Sequence, residues 1–328
     1  MAELHQADAV FQGGGVKGIA LVGALLGFAE KGWTDWISVA GTSAGSIIAA
    51  YLACGHGPDD LEELLRKTPY EKFQDWGAGG KFIGGGLNLV RHHGLAHGEY
   101  FHKWFLEQTE EKTFGDVKKT GRTLKLIASD VANKNLLVLP DDLVNYRQPG
   151  GTDPIDPDSY RIADAARMSM SIPYFFQPVE LVNIESKLPG TIVDGGMLSN
   201  FPVWLFDVSD RDATRPTFGF RLTGGKGVGG GIQNIVNGLG WPVQLGSEMF
   251  HTAMEAWDKR FMSHSTAVRT CPVDAGTIGS TDFALTKDQQ DWLINSGKTA
   301  AAAFLADFKL ENYFNTYGKK LTPSAVHV

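Results

Sequence analysis

The chain of 328 residues holds only two cysteines, Cys54 and Cys271, in unrelated contexts and without paired spacing. That scarcity excludes a disulfide framework and a cysteine-based metal site, and it fits a reducing compartment. Positive charge is also short: 30 Lys and Arg against 37 Asp and Glu leave a formal charge of -7, with no basic run. This is the wrong sign for wrapping nucleic acid, so no nucleic-acid partner is expected. Residues Met1 to Asp8 lack the basic start and apolar stretch of a secretory signal, and a cytoplasmic location is expected. Long uncharged stretches are scarce too. The segment Trp36 to Pro58 has no Asp, Glu, Lys or Arg, but Gly41, Thr42, Ser43, Gly45, Ser46, Gly55 and Gly57 interrupt it. It reads as strand, turn and buried helix rather than as a membrane span. Around His92, His93 and His97 the H-E-x-x-H zinc spacing is missing, and no carboxylate run has calcium-loop spacing.

What is present is ordinary globular material, 43% apolar and 20% charged, enough for one large core. Ala9 to Phe11 reads as a strand, Gly13 to Gly18 as a glycine loop and Ile19 to Lys31 as a buried helix closed by Gly32. A second such unit follows: strand Trp36 to Ala40, turn Gly41 to Gly45, and an apolar helix ending near Gly55. Two strand–turn–helix units in succession imply an α/β fold with a parallel sheet. Gly57-Pro58 stops the second of these helices, and Asp59 with Glu62 three residues later is spaced as a capping-box start for the next. From Phe73 to Phe105 the pattern loosens, which suggests a surface insertion at the sheet edge. Strands are expected at Leu124–Ala128, Leu136–Leu139, Thr191–Val193 and Phe218–Arg221, and a helix over Ile162 to Met170. Gly224 to Gly240 is expected to be a mobile loop. Val243 to Phe261 and Lys287 to Phe308 read as helices. No repeat or linker divides the chain, so residues 1–328 are expected to form one domain.

Gly13, Gly15 and Gly18 satisfy G-x-G-x-x-G between a strand and a helix, a geometry that turns backbone N–H groups toward an anion. A dinucleotide site would need a carboxylate at the end of the next strand, and Val39-Ala40-Gly41 has none. An acyl-transfer enzyme would aim the same amides at an oxyanion. Gly41-x-Ser43-x-Gly45 has the form of a nucleophile elbow, whose flanking glycines leave room for a sharp turn. The plainer alternative is a helix cap by Ser43. A serine needs a base. The late histidines His251, His264 and His327 sit at no clear strand end. Asp194 does, followed by Gly195 and Gly196. Asp130 also ends a strand, with an Asx turn or cap as its expected role. Apolar neighbours Ile192, Val193, Met197 and Leu198 would raise the pKa of Asp194 toward that of a useful base.

Together, Gly13-Gly14-Gly15-Val16-Lys17-Gly18, Gly41-Thr42-Ser43-Ala44-Gly45 and Asp194-Gly195-Gly196 resemble the patatin-like phospholipase family. Weaker similarity runs through Gly94–Gly98, Ser169–Pro173 with Phe176 and Pro178, and Asn200-Phe201-Pro202. Residues 8–205 are best matched, with a C-terminal helical part over 206–328. The resemblance implies a three-layer α/β sandwich with a mostly parallel central sheet. It also implies a Ser-Asp dyad without histidine: Ser43 attacks a fatty-acyl ester, Asp194 is the base, and the amides of residues 13–18 hold the oxyanion. No cofactor or metal is implied. Lys17 stands where family members commonly carry Arg, keeping the charge but losing the bidentate fork. The expected substrate is a phospholipid or lysophospholipid at a membrane surface. Residues 73–105 would serve as a lid, with Trp76, Phe82, Leu87 and Leu89 as apolar contacts. Three alternatives stay open: a small-ester hydrolase with a Ser-His-Asp triad through His251 or His264, a dinucleotide-binding protein, and a lipid-binding protein with a vestigial site.

Overall fold

A computed structural model of the chain describes residues 5–73, 75, 94–207, 214–224, 245, 248–250, 252–254, 264–280 and 282–317. Its organising feature is a sheet built from β1 (Gln6–Phe11), β2 (Asp35–Thr42), β4 (Thr123–Asp130), β5 (Asn135–Leu139), β6 (Tyr146–Arg147), β8 (Val179–Asn183), β9 (Pro189–Asp194), β10 (Thr217–Thr223) and β11 (Thr270–Asp274). The order is β11-β10-β1-β2-β4-β9-β8-β6, with β5 on the other edge of β4. The run β11-β10-β1-β2-β4 is parallel throughout, and the antiparallel pairs lie beyond it. This is an α/β fold with a mostly parallel central sheet and helices around it.

The parallel strands are buried on both faces, as crossover helices require. Ala9 and Phe11 point into the main core, while Val10 joins Ala40, Phe201 and Val203 in a second, smaller cluster; the alternation of a strand puts these on opposite faces. Helix α1 (Gly18–Ala29) is buried over Gly18 to Phe28, because it lies between the sheet and the long C-terminal helix, here α7 (Lys287–Asp307). The segment expected to be strand, turn and buried helix is β2 followed by α2 (Ala44–Ala53). Among the described residues no helix is long and apolar enough to cross a membrane. Both cysteines are unpaired and buried, and burial pushes each thiol up to about 12.

Three expectations are corrected. Helix α3 (Pro58–Lys67) is capped by Asp60 reaching back to the Gly57 N–H at 2.9 Å, with Pro58 as its first residue, rather than by Asp59 with Glu62. Within the supposed insertion 73–105, Gly94–Ala96 forms β3, paired with β7 (Tyr174–Phe176), and Glu99–Gln108 forms α4. Phe101 and Phe105, one turn apart on α4, are fully buried, so this stretch is core. Two smaller helices complete this part, α5 (Phe114–Lys119) and α6 (Ile162–Ser169). The part after residue 206 is not helical apart from one strand: the strand expected at Phe218–Arg221 is β10, paired directly with β1, and a second, unexpected strand, β11, extends the parallel run. Trp76, Phe82, Leu87 and Leu89 lie outside the described residues, as do the glycine-rich stretch after Gly224 and most of Val243 to Phe261.

Candidate active site at the head-on junction of two strands

Along one edge of β4, β2 pairs as far as Thr42 opposite Ile127, and β9 takes over with Asp194 opposite Ala128. Strand β2 runs parallel to β4 and β9 antiparallel, so their carboxyl ends meet head on. Ser43 is the residue after one end and Asp194 is the other end.

Ser43 sits at φ 53, ψ -124, a conformation that costs a non-glycine residue on the order of 1–3 kcal/mol. Its surroundings hold it there. The Ser43 N–H donates to Ser169 Oγ at 3.0 Å, and the Ser43 carbonyl accepts from both the N–H and the hydroxyl of Ser46, at 2.8 and 2.6 Å. Thr42 Oγ1 donates to the Ser199 carbonyl at 3.0 Å. The flanking glycines are required by close approach: a Cβ on Gly41 would lie 2.1 Å from the Gly45 carbonyl, and one on Gly45 would lie 2.3 Å from that of Phe11. The Ser43 side chain makes no capping bond to α2, so the helix does not use its hydroxyl.

Asp194 is 1% exposed and Ser43 4%. Burial pushes the Asp194 carboxyl up to about 7, against the opposing pull of the Ser43 hydroxyl and the Gly196 N–H. Oδ1 accepts that N–H at 2.7 Å. Oδ2 is buried, and no donor among the described residues reaches it in good hydrogen-bond geometry. The Ser43 hydroxyl therefore favours the charged carboxyl through a loose contact, as is common for a catalytic pair before substrate binds. The Asp194 N–H donates to the Ser171 carbonyl at 2.9 Å. One short stretch at the end of α6, through Ser169 and Ser171, thus fixes both residues.

The glycine loop lies against Ser43: a Cβ on Gly13 would come within 3.1 Å of Ser43 Cβ. Most of its amides are engaged. Gly13 N–H donates to Asn200 O at 3.1 Å, Val16 N–H to Ser280 O at 3.0 Å, Lys17 N–H to Gly14 O at 3.3 Å, and Gly18 N–H to Gly15 and Val16. The N–H groups of Gly14 and Gly15 have no acceptor among the described residues. The set of candidate anion donors narrows to these two. The Lys17 side chain is half-buried. Gly195 and Gly196 continue from Asp194 as a buried 3-10 turn.

No histidine partners Ser43 or Asp194 among the described residues. His97 Nδ1 lies 2.8 Å from Gln177 Nε2. His92, His93, His251 and His327, and the side chain of His264, lie outside the described residues. Asp130 makes the Asx turn expected of it, accepting from Ala132 and Asn133 N–H. Sequence reasoning assigned no role to Ser169 or Asn200, although both stand in segments that carry the weaker family similarity.

The site thus holds a strained serine beside a buried carboxyl, with two loop amides free among the described residues, on an α/β sheet. The chain belongs to the patatin-like phospholipase family, whose model matches residues 9–207, and this makes it a lipid ester hydrolase by class. It is 37% identical to the protein YqhO of Bacillus subtilis (strain 168) over 315 residues, covering 91% of this chain and 97% of that one. In fold it is similar to VipD from Legionella pneumophila, with a TM-score of 0.56 and 16% identity over 92% of this chain and 67% of VipD. It is also similar to ExoU in the ExoU–SpcU complex from the type III secretion system of Pseudomonas aeruginosa, with a TM-score of 0.50 and 15% identity over 92% of this chain. The chain spans about half the length of ExoU, 51%.

Proposed function

We propose that the protein hydrolyses fatty-acyl esters of phospholipids or lysophospholipids through an acyl-serine intermediate on Ser43, with Asp194 as the base. The observation that carries this reading is the head-on junction of β2 and β9, which sets a carboxyl raised to about 7 against an otherwise unused serine hydroxyl. A carboxyl with that pKa is half ionised near neutrality, where a base works best. Asp194 takes the Ser43 proton as Oγ attacks the ester carbonyl. The N–H groups of Gly14 and Gly15 receive the oxyanion, where one donor is worth about 3–4 kcal/mol in barrier. Asp194 then passes the proton to the leaving alcohol, and water releases the fatty acid. Lys17, at the end of the same loop, adds positive charge near the site. The enzyme acts from the cytoplasm on a membrane surface.

The test is labelling by a fluorophosphonate probe together with fatty-acid release from phosphatidylcholine and lysophosphatidylcholine vesicles. Wild-type protein is labelled and releases fatty acid; Ser43→Ala does neither. Release that survives in Ser43→Ala overturns the reading. Loss of release in His251→Ala or His264→Ala, with Asp194→Asn still active, would put a triad in its place.

We also propose that the chain is a single domain, although the family model ends at residue 207. Strand β10 covers the edge of β1 opposite β2, and the Ser280 carbonyl ties down Val16 in the glycine loop. A chain cut after Asp207 is expected to be insoluble or molten by circular dichroism. A soluble, cooperatively melting fragment would refute this.

A further inference from the structure

Two buried acceptors, one in the dyad and one beside it, have no donor among the described residues. One is Asp194 Oδ2 and the other Asn200 Oδ1; Asn200 is 5% exposed. Leaving such an atom unpaired is costly, so two together call for explanation. Asn200 Oδ1 and the Asp194 carboxyl are neighbours across Gly196. A Cβ on Gly196 would sit 3.0 Å from both Asn200 Oδ1 and Asp194 Oδ1, and one on Gly13, beside Ser43 Cβ, would sit 2.2 Å from Asn200 Oδ1. The amide orientation is fixed by its other end: Nδ2 donates to the Gly13 carbonyl at 3.4 Å, so a flipped amide would set two acceptors against each other. Asn200 Oδ1 is therefore an acceptor aimed between the glycine loop and the Asp194 turn.

We propose that Asn200 orients the water that hydrolyses the acyl-Ser43 intermediate. The proposal rests on the dyad reading above and extends it to the second half of the reaction. Once Ser43 is acylated, its Oγ has no proton to share with Asp194. A water that donates one hydrogen to Asp194 Oδ2 and the other to Asn200 Oδ1 satisfies both acceptors and keeps its lone pairs for the acyl carbon. Its oxygen bonds to that carbon as Asp194 takes the proton. The tetrahedral intermediate then breaks the bond to Ser43 Oγ, which recovers the proton from Asp194, and the fatty acid leaves. Acylation needs no such water, so Asn200 Oδ1 acts on the second step, whereas Nδ2, which holds Gly13, serves both.

The experiment follows a p-nitrophenyl ester through its first turnover and into steady state, with the full chain and with Asn200→Ala and Asn200→Ser. For Asn200→Ala, loss of the Nδ2 bond to Gly13 lowers the rate of the p-nitrophenol burst somewhat, while steady-state turnover falls by about tenfold or more beyond that. Intact-mass measurement then finds the acyl-enzyme accumulating. Asn200→Ser, which keeps an acceptor oxygen, recovers part of the rate. Added methanol has a single O–H, which Asp194 alone satisfies, so the ratio of methyl ester to free acid rises in Asn200→Ala. A burst that falls in step with steady-state turnover, or an unchanged methanol ratio, overturns the proposal and leaves Asn200 as a clamp on Gly13. Wild-type protein that forms no acyl-serine overturns the dyad reading and this proposal together.

Discussion

The short antiparallel ladder of β4 and β9 carries a buried aspartate at each end, and the two are treated in opposite ways. Asp130, fully buried at the end of β4, accepts from five donors: Ala132 N–H, Asn133 N–H, Asn133 Nδ2, Thr191 N–H and the Tyr146 hydroxyl, at 2.7 to 3.2 Å. Asp194, at the end of β9, accepts one hydrogen bond of good geometry. A carboxylate saturated with donors is fixed in place by them. One starved of donors in the same depth of core holds its proton more tightly and can exchange it near neutral pH. The fold thus sets an anchoring carboxylate apart from the one proposed as the base by hydrogen-bond supply, with burial almost the same.

The largest consequence concerns the starved end. Asp194→Asn is expected to lower turnover by at least about a thousandfold, yet to raise the melting temperature at pH 8. The folded pKa lies near 7, above an unfolded value of about 4. The stability associated with Asp194 is therefore complete below about pH 4 and is lost as pH rises through 7. Asparagine suffers no such loss, so the variant gains roughly 1–4 kcal/mol at pH 8 and almost nothing at pH 4. Scanning calorimetry at both pH values checks this, and equal melting at pH 8 would erase the contrast between the two aspartates.

The saturated end should behave in reverse. Asp130→Ala strands several buried donors at once, and a loss of about 3–5 kcal/mol is expected from urea melts. The protein that remains folded should turn over within a few-fold of wild type. A stable Asp130→Ala with impaired chemistry would mean that the roles had been exchanged.

A third test uses pH alone. If Asp194 must be ionised to accept the serine proton, kcat/KM rises by about tenfold per pH unit below 7 and levels off above it. A flat profile from pH 5 to 8 would remove Asp194 as the titrating base. The smallest effect is expected at Ser169, which touches neither substrate nor carboxylate. Ser169→Ala leaves the Ser43 N–H buried without its acceptor, at about 1–2 kcal/mol. It should slow acylation by about tenfold, with the pH midpoint unchanged. A shifted midpoint would show that Ser169 acts on the base instead of the elbow.

The two strand–turn–helix units at the start of the chain were legible because their signals are local. Strand, glycine turn and apolar helix follow one another within about 50 residues, and the glycines are demanded by contacts inside the same turn. Asp194 was legible as a strand end followed by two glycines. The direction of β9 was not, since alternation reads the same along either sense of a strand. Strands β3, β7 and β11 were passed over because they are three to five residues long and are defined by distant partners. Helix α4 was hidden among glycine, aromatic and histidine residues. Its buried pair Phe101 and Phe105 is clear only once β3 and β7 place it against the core. Ser169 and Asn200 escaped for a related reason: their contacts with Ser43 and Gly13 span 126 and 187 residues, and no local pattern marks a polar side chain for such a task.

The sequence by itself determined the α/β class, the glycine loop, the sharp turn at Ser43 and the family, because each is written in residues that must be neighbours to work. Tertiary structure decided which of two strand-end aspartates meets the serine, which loop amides stay free, and what holds the turn. Those outcomes depend on how one strand stops against another and on which donors arrive from far along the chain, and only the folded sheet brings them within reach.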